Sequence, residues 1–178
     1  MKTQTGFTLI ELLVTIALAA ILLTLAVPSF QSTIRTNQLA AFTNEFVGSL
    51  QLARSEAVRR GVRVTVCKSA DGANCIANLD GFEQGWIVFA DPDNDATVDG
   101  GETIIQVYEG LAGGITLVGN TNPIDNYMSY TSDGFSRRTD NVMLTGNYSV
   151  CKAAESSDGR QIAISATGRV STASITSC

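Results

Sequence analysis

The chain has 178 residues, 12 Lys and Arg against 17 Asp and Glu, a net charge of −5, and no histidine. That length holds one domain with a hydrophobic core plus one long accessory segment, not two catalytic domains. The acidic balance argues against indiscriminate nucleic-acid binding, and without His neither a Ser-His-Asp triad nor a histidine general base can be built. A GxxxxGK[ST] phosphate loop is missing from the sequence as well. Asp80 and Glu83 have the chemistry of an acid/base pair, but so do the carboxylates of most acidic loops. The chain therefore reads as a non-enzyme, with no catalytic residues.

From Phe7 to Val27 the sequence carries a single charge, Glu11, in a run of Leu, Ile, Ala, Val and Thr. This is roughly the 20 residues with which a helix crosses a bilayer's hydrocarbon core, so 7–27 is expected to be transmembrane. A lone carboxylate there is costly unless it finds a partner. An ordinary signal peptide carries small residues after its apolar run, whereas here Gly6 precedes it. A plain signal anchor explains the hydrophobicity and Lys2, but gives no reason for Glu11. Pro28 removes the hydrogen bond to Thr24 and is expected to break or loosen the helix there.

Beyond it, Leu39, Phe42, Phe46, Leu50, Ala53 and Ala57 recur at helical spacing, with Arg35, Asn44, Glu45, Arg54 and Glu56 between them. Arg59, Arg60 and Gly61 then supply cations at the helix's negative pole and a glycine cap. The expected element is one helix over 7–60, its second half, 28–60, amphipathic.

At residue 62 the period changes. Val62, Val64 and Val66 alternate with Arg63 and Thr65, as in a half-buried strand. Further strands are expected over 86–90, 103–108, 115–118, 127–131, 141–144, 148–152, 161–165 and 169–172, separated by Gly, Asn, Asp and Ser clusters. The fold class is α+β, one long helix followed by a β-rich head over 61–178.

Four cysteines fit an oxidising compartment and allow three pairings. Cys67 with Cys75 closes a short Gly-Asn loop and Cys151 with Cys178 staples the C-terminal tail, so this pairing is favoured. Zinc is the alternative, but the spacings are wide and there is no His. In Asp-Pro-Asp-Asn-Asp-Ala-Thr-Val-Asp-Gly-Gly-Glu, the residues Asp91, Asp93, Asp95, Asp99 and Glu102 occupy positions one, three, five, nine and twelve of a calcium loop. Position six is Ala96 instead of Gly, and the flanks read as strands. A solvated hairpin loop is the competing reading, with no cofactor at all.

The segment from Gly6 to Pro28, GFTLIELLVTIALAAILLTLAVP, resembles the N-terminus of type IV prepilins and type II secretion pseudopilins. The body segments LARSEAVRRGVRVTVC, GWIVFADPDND and ISATGRVSTASITSC resemble the GspH/FimT group of minor pilins and pseudopilins. The resemblance implies a pilin-like fold, a long spine helix carrying two small antiparallel sheets. It also implies a leader, 1–6, cut by a prepilin peptidase between Gly6 and Phe7, and N-methylation of the new Phe7 amine. Glu11 would pair with the N-terminal amine of a neighbouring subunit and serve assembly. The implied place is a single-pass bacterial inner-membrane protein with a periplasmic head, extracellular once in the pilus. Its implied partners are other minor pilins and the major pilin, with a role in priming assembly at or near the tip.

Some DNA-uptake members of the FimT group carry Gly-Arg-x-Arg where this chain has Gly168-Arg169-Val170-Ser171. The second Arg is missing. Even so, from Gly134 onward Arg137, Arg138, Lys152, Arg160 and Arg169 outnumber Asp140, Glu155 and Asp158, a possible foothold for DNA in natural transformation. A minor type IV pilin is the expected function, with a DNA-binding pilin or a minor pseudopilin of type II secretion as alternatives.

Overall fold

The computed structural model describes residues 7–152 and 158–178, apart from the side chains at 25, 28 and 29. A single α-helix, α1, runs over Leu9–Arg60. The chain forms two compact units, one ending at Gln38 and the other spanning Leu39–Cys178. In the first, Leu9, Ile10, Leu12, Leu13, Ile16, Leu18, Ile21, Leu22 and Leu23 are all exposed. Helical backbone continues through position 28, so the expected break at Pro28 does not occur. A proline takes one N–H out of the ladder, and the turns on either side keep theirs. Among the described residues no helix is long and apolar enough to cross a membrane.

The second unit holds two four-stranded antiparallel sheets. The first is ordered β3-β2-β1-β5, with β1 Val64–Lys68, β2 Gly85–Ala90, β3 Ile104–Glu109 and β5 Tyr127–Tyr130. The second is ordered β4-β6-β7-β8, with β4 Ile115–Gly119, β6 Gly146–Lys152, β7 Gly159–Ile164 and β8 Val170–Ile175. The expected strand over 141–144 is replaced by an isolated bridge between Arg137 and Met143. Asn141 sits at φ 64°, and its N–H bonds the Arg138 carbonyl in a tight turn that leaves no extended run.

The core lies between the helix and both sheets. Leu39, Phe46, Leu50, Ala53 and Ala57 are buried against Val64, Val66, Trp86 and Met128 of the first sheet and Leu117, Tyr148, Val150 and Ile162 of the second. Phe46 is the hub, with ring centroids 5.2 Å from Phe82, 5.3 Å from Trp86 and 4.8 Å from Tyr148, all edge-on. Thr43 and Ser49 are buried on the same helix and remain satisfied, donating to the Leu39 carbonyl at 2.6 Å and the Phe46 carbonyl at 2.7 Å. Gly61 closes the helix at φ 71°, its N–H on the Ala57 carbonyl. Both disulfides close as the spacing suggests, Cys67–Cys75 with Cα atoms 5.5 Å apart and Cys151–Cys178 at 5.9 Å.

β1 departs from the half-buried pattern, since all five of its residues are buried. It is a central strand with β2 on one side and β5 on the other, and both of its faces are covered. Thr65 is sealed by Asp91, and Lys68 by the carbonyls of Ala77 and Leu79, which accept from its Nζ at 3.0 and 2.7 Å.

Candidate functional site

At the start of α1, Thr8 and Glu11 cap the helix reciprocally. Glu11 Oε2 accepts from the Thr8 N–H and Oγ1, both at 3.2 Å, and Thr8 Oγ1 accepts from the Glu11 N–H at 3.3 Å. This is a capping box, with the carboxylate at the positive end of the helix dipole. Glu11 thus has a partner within its own chain before any neighbour is considered. The Thr-x-x-Glu spacing is itself a capping signal that the sequence carries. Phe7 beside it is 87 % exposed. Gly6 and the rest of the expected leader, 1–6, lie outside the described residues.

The acidic loop connects β2 to β3. The carboxylate oxygens of Asp91, Asp93 and Asp95 lie within 4.8 Å of one another. Asp99 and Glu102 stand outside this group and are tied to each other, the Asp99 N–H donating to Glu102 Oε2 at 3.0 Å. Ala96 adopts φ 62° and Asn94 φ 68°, so the left-handed turn is made without glycine. What holds it is Asp91. Fully buried, its carboxylate accepts from Thr65 Oγ1 at 2.7 Å and from the N–H groups of Asp95 and Ala96 at 3.2 Å. Burial pushes its pKa up, against the pull of these hydrogen bonds.

Arg63, expected on an exposed face, is buried and joins this loop to the basic turn after β5. Its guanidinium donates to Asn94 Oδ1 at 2.6 Å, Ser129 Oγ at 2.9 Å, the carbonyls of Arg137 and Arg138 at 3.0 and 2.8 Å, and Asn141 Oδ1 at 2.7 Å. The planar fork suits five acceptors in a way an ammonium cannot. Burial lowers its pKa and Asp91 opposes that shift.

The five candidate DNA-binding cations are spread over different elements. Arg137 pairs with Asp133 at 3.4 Å and stacks over Phe135, and Arg138 pairs with Asp140 at 3.4 Å. Lys152 ends β6 and Arg160 sits on β7. Arg169 is exposed at the tip of the β7–β8 hairpin and borders a shallow recess with Ser165 and Ser171. The preceding Gly168 is structural. It holds φ 75°, and a side chain there would collide with the Gly134 carbonyl. Arg54 of the helix fastens the same corner, donating to the carbonyls of Gly134 at 2.9 Å and Thr167 at 3.0 Å.

The fold matches two crystal forms of the type IV minor pilin FimU from Pseudomonas aeruginosa, each at 18 % identity. One gives a TM-score of 0.58 over 81 % of this chain and 97 % of that one, the other 0.53 over 76 % and 95 %. The long N-terminal helix packed on two antiparallel sheets is therefore a pilin fold. No curated protein matches the sequence significantly. Residues 43–168 match the family of type II transport protein GspH, and residues 1–27 match the prokaryotic N-terminal methylation motif. The chain belongs to the GspH family. Family and fold are those of structural pilins and pseudopilins, membrane-anchored subunits that assemble with other pilins.

Proposed function

We propose that the chain is a minor type IV pilin that primes or joins pilus assembly at or near the tip. The observation that carries this reading is the union of an N-terminal methylation motif with a GspH head in a chain whose fold is that of a minor pilin. In the proposed cycle the peptidase cuts between Gly6 and Phe7 and the Phe7 amine is methylated. The segment 7–27 resides in the inner membrane with the head in the periplasm, until the subunit enters the filament among other minor pilins and the major pilin. There the exposed apolar side chains exchange lipid for protein contacts, and Glu11 pairs with a neighbour's terminal amine.

The family's description as a type II transport protein supports the pseudopilin alternative. The exposed Arg169, without an ion pair among the described residues, is what supports DNA binding, although Arg137 and Arg138 are already neutralised. A deletion strain scored for piliation, type II secretion and DNA uptake separates the three. Loss of pili with normal secretion is expected. Normal pili with lost secretion, or lost uptake at full piliation, would replace the reading by the corresponding alternative.

A further inference from the structure

β8 is the end strand of the second sheet, and none of its six residues is charged or proline. Its ladder to β7 runs without a register shift. Unpaired edges are normally blunted by Lys, Pro or a bulge, and this one has none of them. The register fixes which groups are open. The Ser165 N–H bonds the Arg169 carbonyl, so Ser171 and Ala173 face β7 while Val170, Thr172 and Ser174 turn their N–H and C=O groups outward. Cations flank the edge at both ends, with Arg169 just before β8 and Arg160 in register with Ser174.

β3, the end strand of the first sheet, is also six residues long and has the opposite flanks; its ladder to β2 shifts register between Val88 and Phe89, so its regular edge is the stretch from Gln106 to Glu109. Glu109 is its exposed last residue, and Glu102, half-buried with one oxygen holding the Asp99 N–H, stands just before its start. The chain has no Lys or Arg between Lys68 and Arg137, so nothing on this strand or its loops offsets those charges locally. The Val107 carbonyl accepts from the Gln106 side-chain amide at 3.1 Å, a contact an incoming strand can replace.

We propose that the β8 edge docks the β3 edge of a second copy of this chain, in antiparallel register. That alignment brings Glu109 to the Arg169 end and Glu102 to the Arg160 end. Pairing β8 with β8 would instead set Arg169 of one copy against Arg160 of the other, and β3 with β3 would set acid against acid. The contact is therefore head-to-tail, the kind that propagates along an assembly instead of closing into a dimer. It rests on the reading of the chain as an assembling subunit, but needs only residues 39–178 and does not depend on the pilus or on the tip.

The test uses full-length protein in detergent micelles and a short bis-maleimide. A Val107→Cys copy mixed with a Thr172→Cys copy is expected to give the mixed cross-linked dimer, and neither variant alone a dimer. Adding Arg169→Glu to the Thr172→Cys copy should lower the yield about tenfold, and Glu109→Arg in the other copy should restore it. Self-cross-linking of either variant, no cross-link in the mixture, or indifference to the charge swap would overturn the proposal. None of these readouts involves piliation, so the proposal and the pilus reading fail separately.

Discussion

Arg63 shows how much one buried side chain can organise. Its five hydrogen bonds reach the acidic loop, β5 and the turn over 137–141. Arg63→Met should remove all five at once, leaving the Asn94 and Asn141 amide oxygens and the Arg138 carbonyl without this donor while the Arg137 carbonyl keeps the Ser129 hydroxyl, and lower unfolding stability by about 3 kcal/mol in a urea titration. Loss of less than about 0.5 kcal/mol would show that the clamp is dispensable. Nothing in the sequence announced this residue, because an Arg alternating with valines reads as a solvent-facing position, and the acceptors it gathers lie 31 to 78 residues away. Glu11 is the opposite case. Its isolation in an apolar run singled it out, and its partner Thr8 stands three positions away, within reach of a local motif.

Among the elements, the helix was the most legible, since five of the six stripe residues are buried and the glycine cap falls at its end. Helical spacing depends only on which side meets the core. β1 was misread because alternation records one buried face, whereas neighbours on both sides and loops over both faces come from distant chain. The 141–144 segment failed for a local reason, the left-handed Asn141.

Two predictions belong at this scale. Cys151→Ser with Cys178→Ser opens a loop of sequence separation 27 and frees the end of β8. It should cost about 3.5 kcal/mol by the loop-closure argument, read as a lower denaturation midpoint, and an unchanged midpoint would contradict it. For the acidic loop, the two oxygens of Asp91 are already engaged, and Asp99 and Glu102 lie outside the cluster. With Asp91 engaged, Asp93 and Asp95 are the carboxylates left to carry binding, short of the charge a tight calcium loop supplies, so millimolar calcium should leave the melting temperature unchanged. A rise that disappears in Asp93→Asn would reinstate the calcium loop.

For the molecule as a whole, the sequence motifs reached the family and the α+β architecture, because a methylation motif and a long stripe are local signals. The division at Gln38 and Leu39 and the pairing order of the strands were not legible, since they depend on contacts between segments far apart in sequence. The exposed apolar side chains from Leu9 to Leu23 suit a subunit whose surroundings are lipid and other helices, and in the proposed cycle Glu11 governs its entry into the filament. The most direct measurement is the amount of the Glu11→Leu protein in sheared pili relative to the membrane fraction of the same cells. Normal protein in the membrane and a several-fold loss from the pili, with fewer pili per cell, are expected. Normal incorporation and normal piliation would contradict this.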